Sequence, residues 1–316
     1  MIKINQLEKQ KEKILLVGNH PYIIQSVLDF DYLSEKEAPS IVAILGNYDG
    51  FSKYFWGDRE ILLPIKKDLD TFEEKEQIRW FLSLSSGRRV LESGRMLADK
   101  LPNLKGGAFF AENVPEKHAI ELFHLAQEKE FLFVGPASIG LLIPGVLKLG
   151  PIGGVTAEQI DSAKIVEKGG VALMAASGGM TNELINVIKQ QDLRLSFALS
   201  FGGDRFPMLT TKDAVLLAQN DKDTKVILYY GELGGVDEYE LIELKEKGEL
   251  TKPVVIHIGG TVADLFPESP QFGHAKAKAS RQDERAEVKR KELKKAGFFV
   301  SSKFKEVGNL LKKAHE

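Results

Sequence analysis

Short apolar runs, each closed by turn residues and followed by a helical pattern, recur along this chain. After a charged lead-in, Ile14-Leu15-Leu16-Val17 ends at Gly18, and a helical pattern covers residues 23–30. Strand, glycine turn and helix in that order predict the opening of a nucleotide-binding α/β unit. Further apolar runs at 40–45, 61–65, 79–84, 107–110 and 131–134 alternate with helical stretches such as Glu116–Lys129. That alternation predicts a parallel sheet with helices on both faces.

The segment LIPGVLKLGPIGGVT, residues 142–156, is rich in Gly and Pro and lacks a helical period. It reads as the crossing between two domains, expected at 12–150 and 151–316. Beyond it the alternation restarts, with strands expected at 171–175, 195–200, 226–230 and 254–258 and helices from 178, at 212–219 and at 238–246. The tail at about 280–295 reads as a helix charged on most faces, and 307–314 as a closing amphipathic helix.

Composition narrows the chemistry. The 316 residues are 43% hydrophobic and 28% charged with a formal net charge of −2, so bulk charge favours neither nucleic acid nor an anionic membrane. The cysteine count of 0 removes disulfides, thiolate metal sites and a catalytic thiol together; no metal site is expected on this chain. The N-terminal stretch MIKINQLEKQKEK has no apolar core of a secretory signal, and no apolar run approaches the roughly 20 residues of a membrane span. A cytoplasmic location is the expectation.

Several glycine-flanked positions could carry chemistry. Gly18 and Asn19 follow the first strand, but GNHPYIIQS is not GxGxxG, and alone it reads as a tight strand-to-helix turn. Ser177-Gly178-Gly179 follows the strand VALMAA and opens a helix, where free N–H groups and the helix dipole can hold an anion; a small-residue turn with Ser177 as N-cap explains the segment equally well. Glu232, in GELGG, and Asp204, in SFGGDRF, are acids at strand ends beside glycines, a placement that packing explains poorly. His274 lies between small neighbours in GHAKA. Neutral imidazole is nucleophilic near neutral pH, and its two nitrogens can divide the labour, one accepting a phosphoryl group and the other held by a carboxylate such as Glu232. His257 reads as a strand-core residue, and the charged tail as a solvated helix laced with ion pairs.

The ordered motifs LDFDY (28–32), YFWGDREILLPI (54–65), AENVPE (111–116), GPASIG (135–140), PGVLKLG (144–150), SGGMTNEL (177–184), GGDRFP (202–207), GELGGVDEY (231–239), LTKPVV (250–255), FGHAKA (272–277) and KKAGFFV (294–300) resemble the α-subunit type of the succinyl-CoA synthetase superfamily. LDFDY, FWG, SGGM-NE and GGDR resemble its citrate-using branch, ATP-citrate lyase and the small subunit of citryl-CoA synthetase. The resemblance implies a Rossmann-type CoA-binding domain followed by a flavodoxin-like CoA-ligase domain. It implies phosphorylation of His274, oriented by Glu232, with Ser177, Gly178, Gly179 and Asp204 around the phosphoryl group or substrate. Gly18, Asn19, Ser83, Ser86, Glu112, Asn113 and Pro115 fall on the family's CoA face. It further implies a separate large subunit of ATP-grasp type that holds ATP and Mg²⁺, and hence a hetero-oligomer.

The implied reaction is an ADP-forming acid–thiol ligation of citrate and CoA, passing through a phosphohistidine and an acyl phosphate. For a chain ending at Glu316, the resemblance implies citryl-CoA formation without the cleavage that follows it in ATP-citrate lyase. Alternatives are an ATP-citrate lyase fragment, a ligase for another small acid such as succinate, and a CoA-binding regulatory subunit without turnover. Two positions depart from the family's pattern: Lys276 replaces the second glycine of GHAGA, and Ala176 the arginine of SRSGG.

Overall fold

The computed structural model describes residues 2–316. Its first sheet contains β1 (Lys13–Val17), β2 (Ile41–Leu45), β3 (Gly50–Trp56), β4 (Arg59–Lys66), β5 (Ile78–Ser83), β6 (Gly106–Phe109) and β7 (Leu132–Val134). They lie in the order β3-β4-β2-β1-β5-β6-β7, all parallel except β3, which runs antiparallel to β4. Without β3 this is the Rossmann order, whose strand direction of travel reverses between β1 and β5. Pro21 begins the helix Pro21–Leu33, where its missing N–H costs nothing.

The second sheet contains β8 (Gly140–Ile143), β9 (Leu147–Leu149), β10 (Val171–Ala175), β11 (Leu195–Ser200), β12 (Val226–Glu232), β13 (Val254–Gly259) and β14 (Phe299–Val300). Their order is β14-β13-β12-β10-β11-β8-β9, with β10 to β14 parallel and the β8–β9 hairpin joined antiparallel to β11. The parallel part has the flavodoxin-like order. Alternate residues of β10 enter different cores, Ala172 and Met174 on one face and Val171, Leu173 and Ala175 on the other. A strand buried on both faces has to be an unbroken apolar run, which is what VALMA is.

Three expectations need correction. The sheets are mixed rather than purely parallel, because β3 and the β8–β9 hairpin add antiparallel edges. The stretch 142–156 is not a plain crossing: β8 and β9 belong to the second sheet, so the chain changes sheets between Val134 and Gly140, ahead of the expected boundary at 150. Leu141, Leu142, Leu147 and Leu149 are fully buried there, and that burial outweighs the turn character of Pro144 and Gly145. The tail helix Ala286–Lys295 is not solvated on all sides; it packs on β13 and β14 and buries Lys289 and Arg290.

The two units share one apolar cluster, running from Ile14 and Trp80 to Phe197 and Ile227. Buried polar bonds fasten the seam: Lys148 Nζ donates to Ser26 Oγ at 2.9 Å and Gly150 O at 2.7 Å, and Lys36 Nζ, paired with Asp31, donates to Val146 O at 2.7 Å. Burial pulls the Lys148 pKa down to about 7. Among the described residues no helix is long and apolar enough to cross a membrane.

Candidate active site

Parallel strands end on the same side of a sheet, so the carboxyl ends of the neighbours β11, β10 and β12 present their loops together. From β10 comes Ser177, whose Oγ accepts from Met180 N at 3.5 Å and caps the helix Gly178–Gln190. Space beside Gly179 is open, leaving the first N–H groups of that helix approachable. β11 leads to Gly203 and Asp204, and β12 ends on Glu232 itself.

The loop after β13 brings His274 to this edge, where His274 Nδ1 and Glu232 Oε2 lie 2.7 Å apart. The histidine side chain is 33% exposed and the glutamate 16%, so the pair is shielded yet open to a ligand. The hydrogen bond to Glu232 holds the imidazole pKa above its ordinary value; desolvation opposes this, and the charges of Glu232, Glu112 and Asp204 reinforce it. With Nδ1–H donating to the carboxylate, Nε2 keeps the free lone pair. A side chain at position 203 would collide with the imidazole ring, so Gly203 provides the floor on which His274 rests.

Asp204 sits in the electrostatic neighbourhood of His274 and Glu112. Burial, then the charge of Glu112, raises its pKa, and its Oδ2 is buried without a hydrogen-bond partner among the described residues. Its group therefore accepts a proton or a donor more readily than a surface aspartate would.

Glu232 is braced from behind by residues that sequence reasoning missed. Lys289 Nζ, 0% exposed, donates to the carbonyls of Glu232 at 2.8 Å and Gly234 at 2.9 Å and pairs with Glu238 Oε2 at 2.5 Å. Glu238 Oε1 in turn accepts from Glu232 N at 3.2 Å. Arg290, beside it on the helix, donates to Ile258 O at 3.1 Å and to Thr261 Oγ1 at 2.9 Å, and so fixes the end of β13. Their charge-dense sequence context gave no sign that these two side chains point inward. His257 does match its core reading: it is buried, bonded through Nδ1 to Ser301 Oγ at 2.7 Å, and burial followed by the Arg290 charge lowers its pKa to about 4.

In the first unit a cleft of about 610 Å³ opens at the crevice between β1 and β5. Gly18, Asn19 and Ser86 line it, and Lys67, Arg89 and Tyr48 join them. Asn19 is held by Tyr54 Oη at 2.9 Å. Two cations beside a glycine turn suit a ligand that carries phosphates. Ser83 does not line this cleft: it is the buried last residue of β5, and its hydroxyl is bonded to Ser85 Oγ at 2.9 Å. Glu112, Asn113 and Pro115 are not in its wall either; they form the exposed loop before the helix Glu116–Lys129, and Glu112 instead faces the field of Asp204 and His274. Arg89 was foreseeable, since SSGRR follows a strand and precedes a helix.

The chain thus joins a Rossmann-type crevice to a flavodoxin-like sheet that bears an acid-paired histidine at its convergent strand ends. Residues 174–299 match the CoA-ligase family model. The whole chain is similar to the probable ATP-citrate synthase subunit 1 of Neurospora crassa, with 36% identity over 98% of this chain and 46% of that one. It superimposes on ATP citrate lyase of Methanosaeta concilii in complex with (3S)-citryl-CoA, with a TM-score of 0.94, 31% identity and coverage of 99% of this chain and 51% of that one. The ATP citrate lyase of Methanothrix soehngenii in complex with citrate and coenzyme A gives a TM-score of 0.93, 31% identity and the same coverage. The chain thus carries a CoA-ligase domain and is homologous to part of the ATP-citrate synthases, as its motifs led us to expect; it spans about half the length of these relatives.

Proposed function

We propose that this chain is the phosphoryl-relay and CoA-binding part of an ATP-dependent ligase that joins citrate to CoA. The observation that carries the reading is the 2.7 Å contact of His274 Nδ1 with Glu232 Oε2, placed at the convergent strand ends beside an open helix start. Similarity to proteins that hold citrate, coenzyme A or citryl-CoA supports the choice of substrates.

In this reading Glu232 fixes the tautomer, and Nε2 of His274 takes the γ-phosphoryl group of ATP as the bond to ADP breaks. The Ser177-Gly178-Gly179 helix start stabilises the charge on the phosphoryl oxygens. A citrate carboxylate oxygen then takes the group as the N–P bond breaks, giving an acyl phosphate with a good leaving group. The chain has no cysteine, so CoA supplies the thiol that displaces phosphate. Gly18, Asn19, Ser86, Lys67 and Arg89 fit the phosphate-bearing end of that substrate, with the glycine turn admitting it and the two cations pairing with it. ATP and Mg²⁺ belong to a partner of ATP-grasp type.

The test is product analysis by mass spectrometry after this chain, its ATP-grasp partner, Mg-ATP, CoA and citrate are combined, with succinate in a parallel reaction. Citryl-CoA formed only with all components supports the reading. Succinyl-CoA in preference to citryl-CoA overturns the substrate, and CoA binding without any acyl-CoA overturns the ligase.

A further inference from the structure

The loop that carries His274 has little regular structure to hold it. Between β13 and the helix Ala286–Lys295 lie short 3-10 turns at Thr261–Leu265 and Gln282–Glu284. Ala277 N to His274 O at 3.0 Å, Phe272 N to Ala277 O at 3.0 Å and Gln271 Nε2 to His274 O at 2.5 Å curl the loop. These bonds stay within the loop, so they shape it without deciding where it docks. Gly273, Ala275 and Ala277 have no polar side chain to help.

At its far end this loop is tied to the one that follows Glu232 by Tyr239 Oη donating to Asp283 O at 2.8 Å and Gly234 N donating to Glu284 O at 2.9 Å. Two side-chain links cross near His274 itself. One is the His274–Glu232 hydrogen bond, and the other is an ion pair of Lys276 Nζ with Asp237 Oδ2. Lys276 is 14% exposed and Asp237 39%, so the pair is less screened than a surface pair. The path between them is made by glycine. A side chain at Gly234 would collide with the Lys276 carbonyl, and at Gly235 a Cβ would lie 3.6 Å from Lys276 Cε and 3.8 Å from Cδ. The lysine stem therefore lies across Gly235, and the loop backbone lies on Gly234. Asp237 is a firm anchor because its neighbour Glu238 is held by the buried Lys289, which also grips the Glu232 and Gly234 carbonyls.

We infer that Lys276 is a positioning residue for the proposed phosphoryl relay: its ion pair with Asp237 docks the His274 loop on the Glu232 loop and so holds the imidazole against its carboxylate. The inference rests on the proposed function for its purpose, though not for its geometry. The ammonium is committed to Asp237, so the lysine acts as a clasp and not as the counter-ion of the phosphoryl group.

Titration of the His274 imidazole by NMR in the full chain tests this, because the two roles a lysine could have there move the value in opposite directions. Glu232, Glu112 and Asp204 all favour the imidazolium, and a nearby cation disfavours it. Loss of a clasp in Lys276→Met frees the ring from Glu232 and lowers the His274 pKa toward the ordinary value of about 6.5; Lys276→Arg retains the wild-type value. A value in Lys276→Met that is unchanged or raised overturns the inference, since removal of a mere neighbouring charge gives that result. If Lys276→Met does not fold, Asp237→Asn cuts the same link from its more exposed side: loss of the protected Nδ1–H resonance of His274 supports the clasp, and its retention overturns it. The titration uses neither ATP nor citrate, so the clasp can fail while the relay stands, and the reverse.

Discussion

The crevice outside β1 and β5 is walled by a glycine turn, by Asn19 and Ser86 and by the cations Lys67 and Arg89, around about 610 Å³ of space. The edge formed by β10, β11 and β12 carries instead an imidazole and a carboxylate at 2.7 Å, with a buried lysine behind them. Both lie at the carboxyl ends of parallel strands, where doubly wound sheets bind ligands. They differ in how much of their polar equipment is spent on the protein. In the first unit the cations face the space a ligand would fill, which suits binding. In the second, Glu232, Glu238, Lys289, Asp237 and Lys276 are engaged with one another, which suits a reacting group held in one geometry.

The sharpest way to break this contrast is to remove a brace. Lys289→Met leaves Glu238 buried without its cation, and that is expected to cost about 3–5 kcal/mol of stability. Chemical denaturation should show a clearly lower midpoint, whereas Lys67→Ala or Arg89→Ala should stay within about 0.5 kcal/mol of wild type. Equal losses in both regions would remove the distinction between a braced site and an open one.

Next in size is Glu232→Gln, which keeps the shape but not the charge. Phosphate uptake by the chain is expected to slow by about 10²-fold or more, while CoA affinity measured by calorimetry stays unchanged. The converse variant, Lys67→Ala combined with Arg89→Ala, should weaken CoA binding by roughly tenfold or more, as loss of hydrogen bonds to charged groups implies, and leave phosphate uptake intact. A variant that damages both readouts would show that the two regions do not divide the work.

The smallest effect is that of pH. The folded pKa of His274 is raised by its bond to Glu232, so the pair's contribution to stability is fully present below the unfolded value of about 6.5 and is lost as pH rises through the higher folded value. Nucleophilic attack needs the neutral ring, so uptake of phosphate should increase with pH over the same window. In Glu232→Gln that increase should move to lower pH, and a profile that does not move would separate the histidine from the glutamate.

Legibility followed burial. β1 and β10 were readable because strands covered on both faces are unbroken apolar runs. The β8–β9 hairpin was not, because Pro144 and Gly145 punctuate it and its strands are as short as Leu147–Leu149. β3 escaped notice because it is an edge strand whose Phe51 and Phe55 remain exposed. His274 and Glu232 were named from strand-end position and motif, although 42 residues separate them. Lys289 meets Glu238 across 51 residues from within a charge-rich helix, and no local pattern distinguishes an inward lysine from a solvated one there. The first-unit crevice was half legible: the glycine turn marks Gly18 and Asn19, but the burial that hides Ser83 and keeps it out of the cleft comes from packing.

Intact-mass analysis under alkaline conditions, after incubation with the ATP-grasp partner and Mg-ATP, tests the central claim most directly. The account predicts one acid-labile phosphate on wild-type chain, none on His274→Ala, and its discharge when citrate and CoA are added. A chain that binds partner and CoA yet takes up no phosphate, or takes it up equally in His274→Ala, would contradict it.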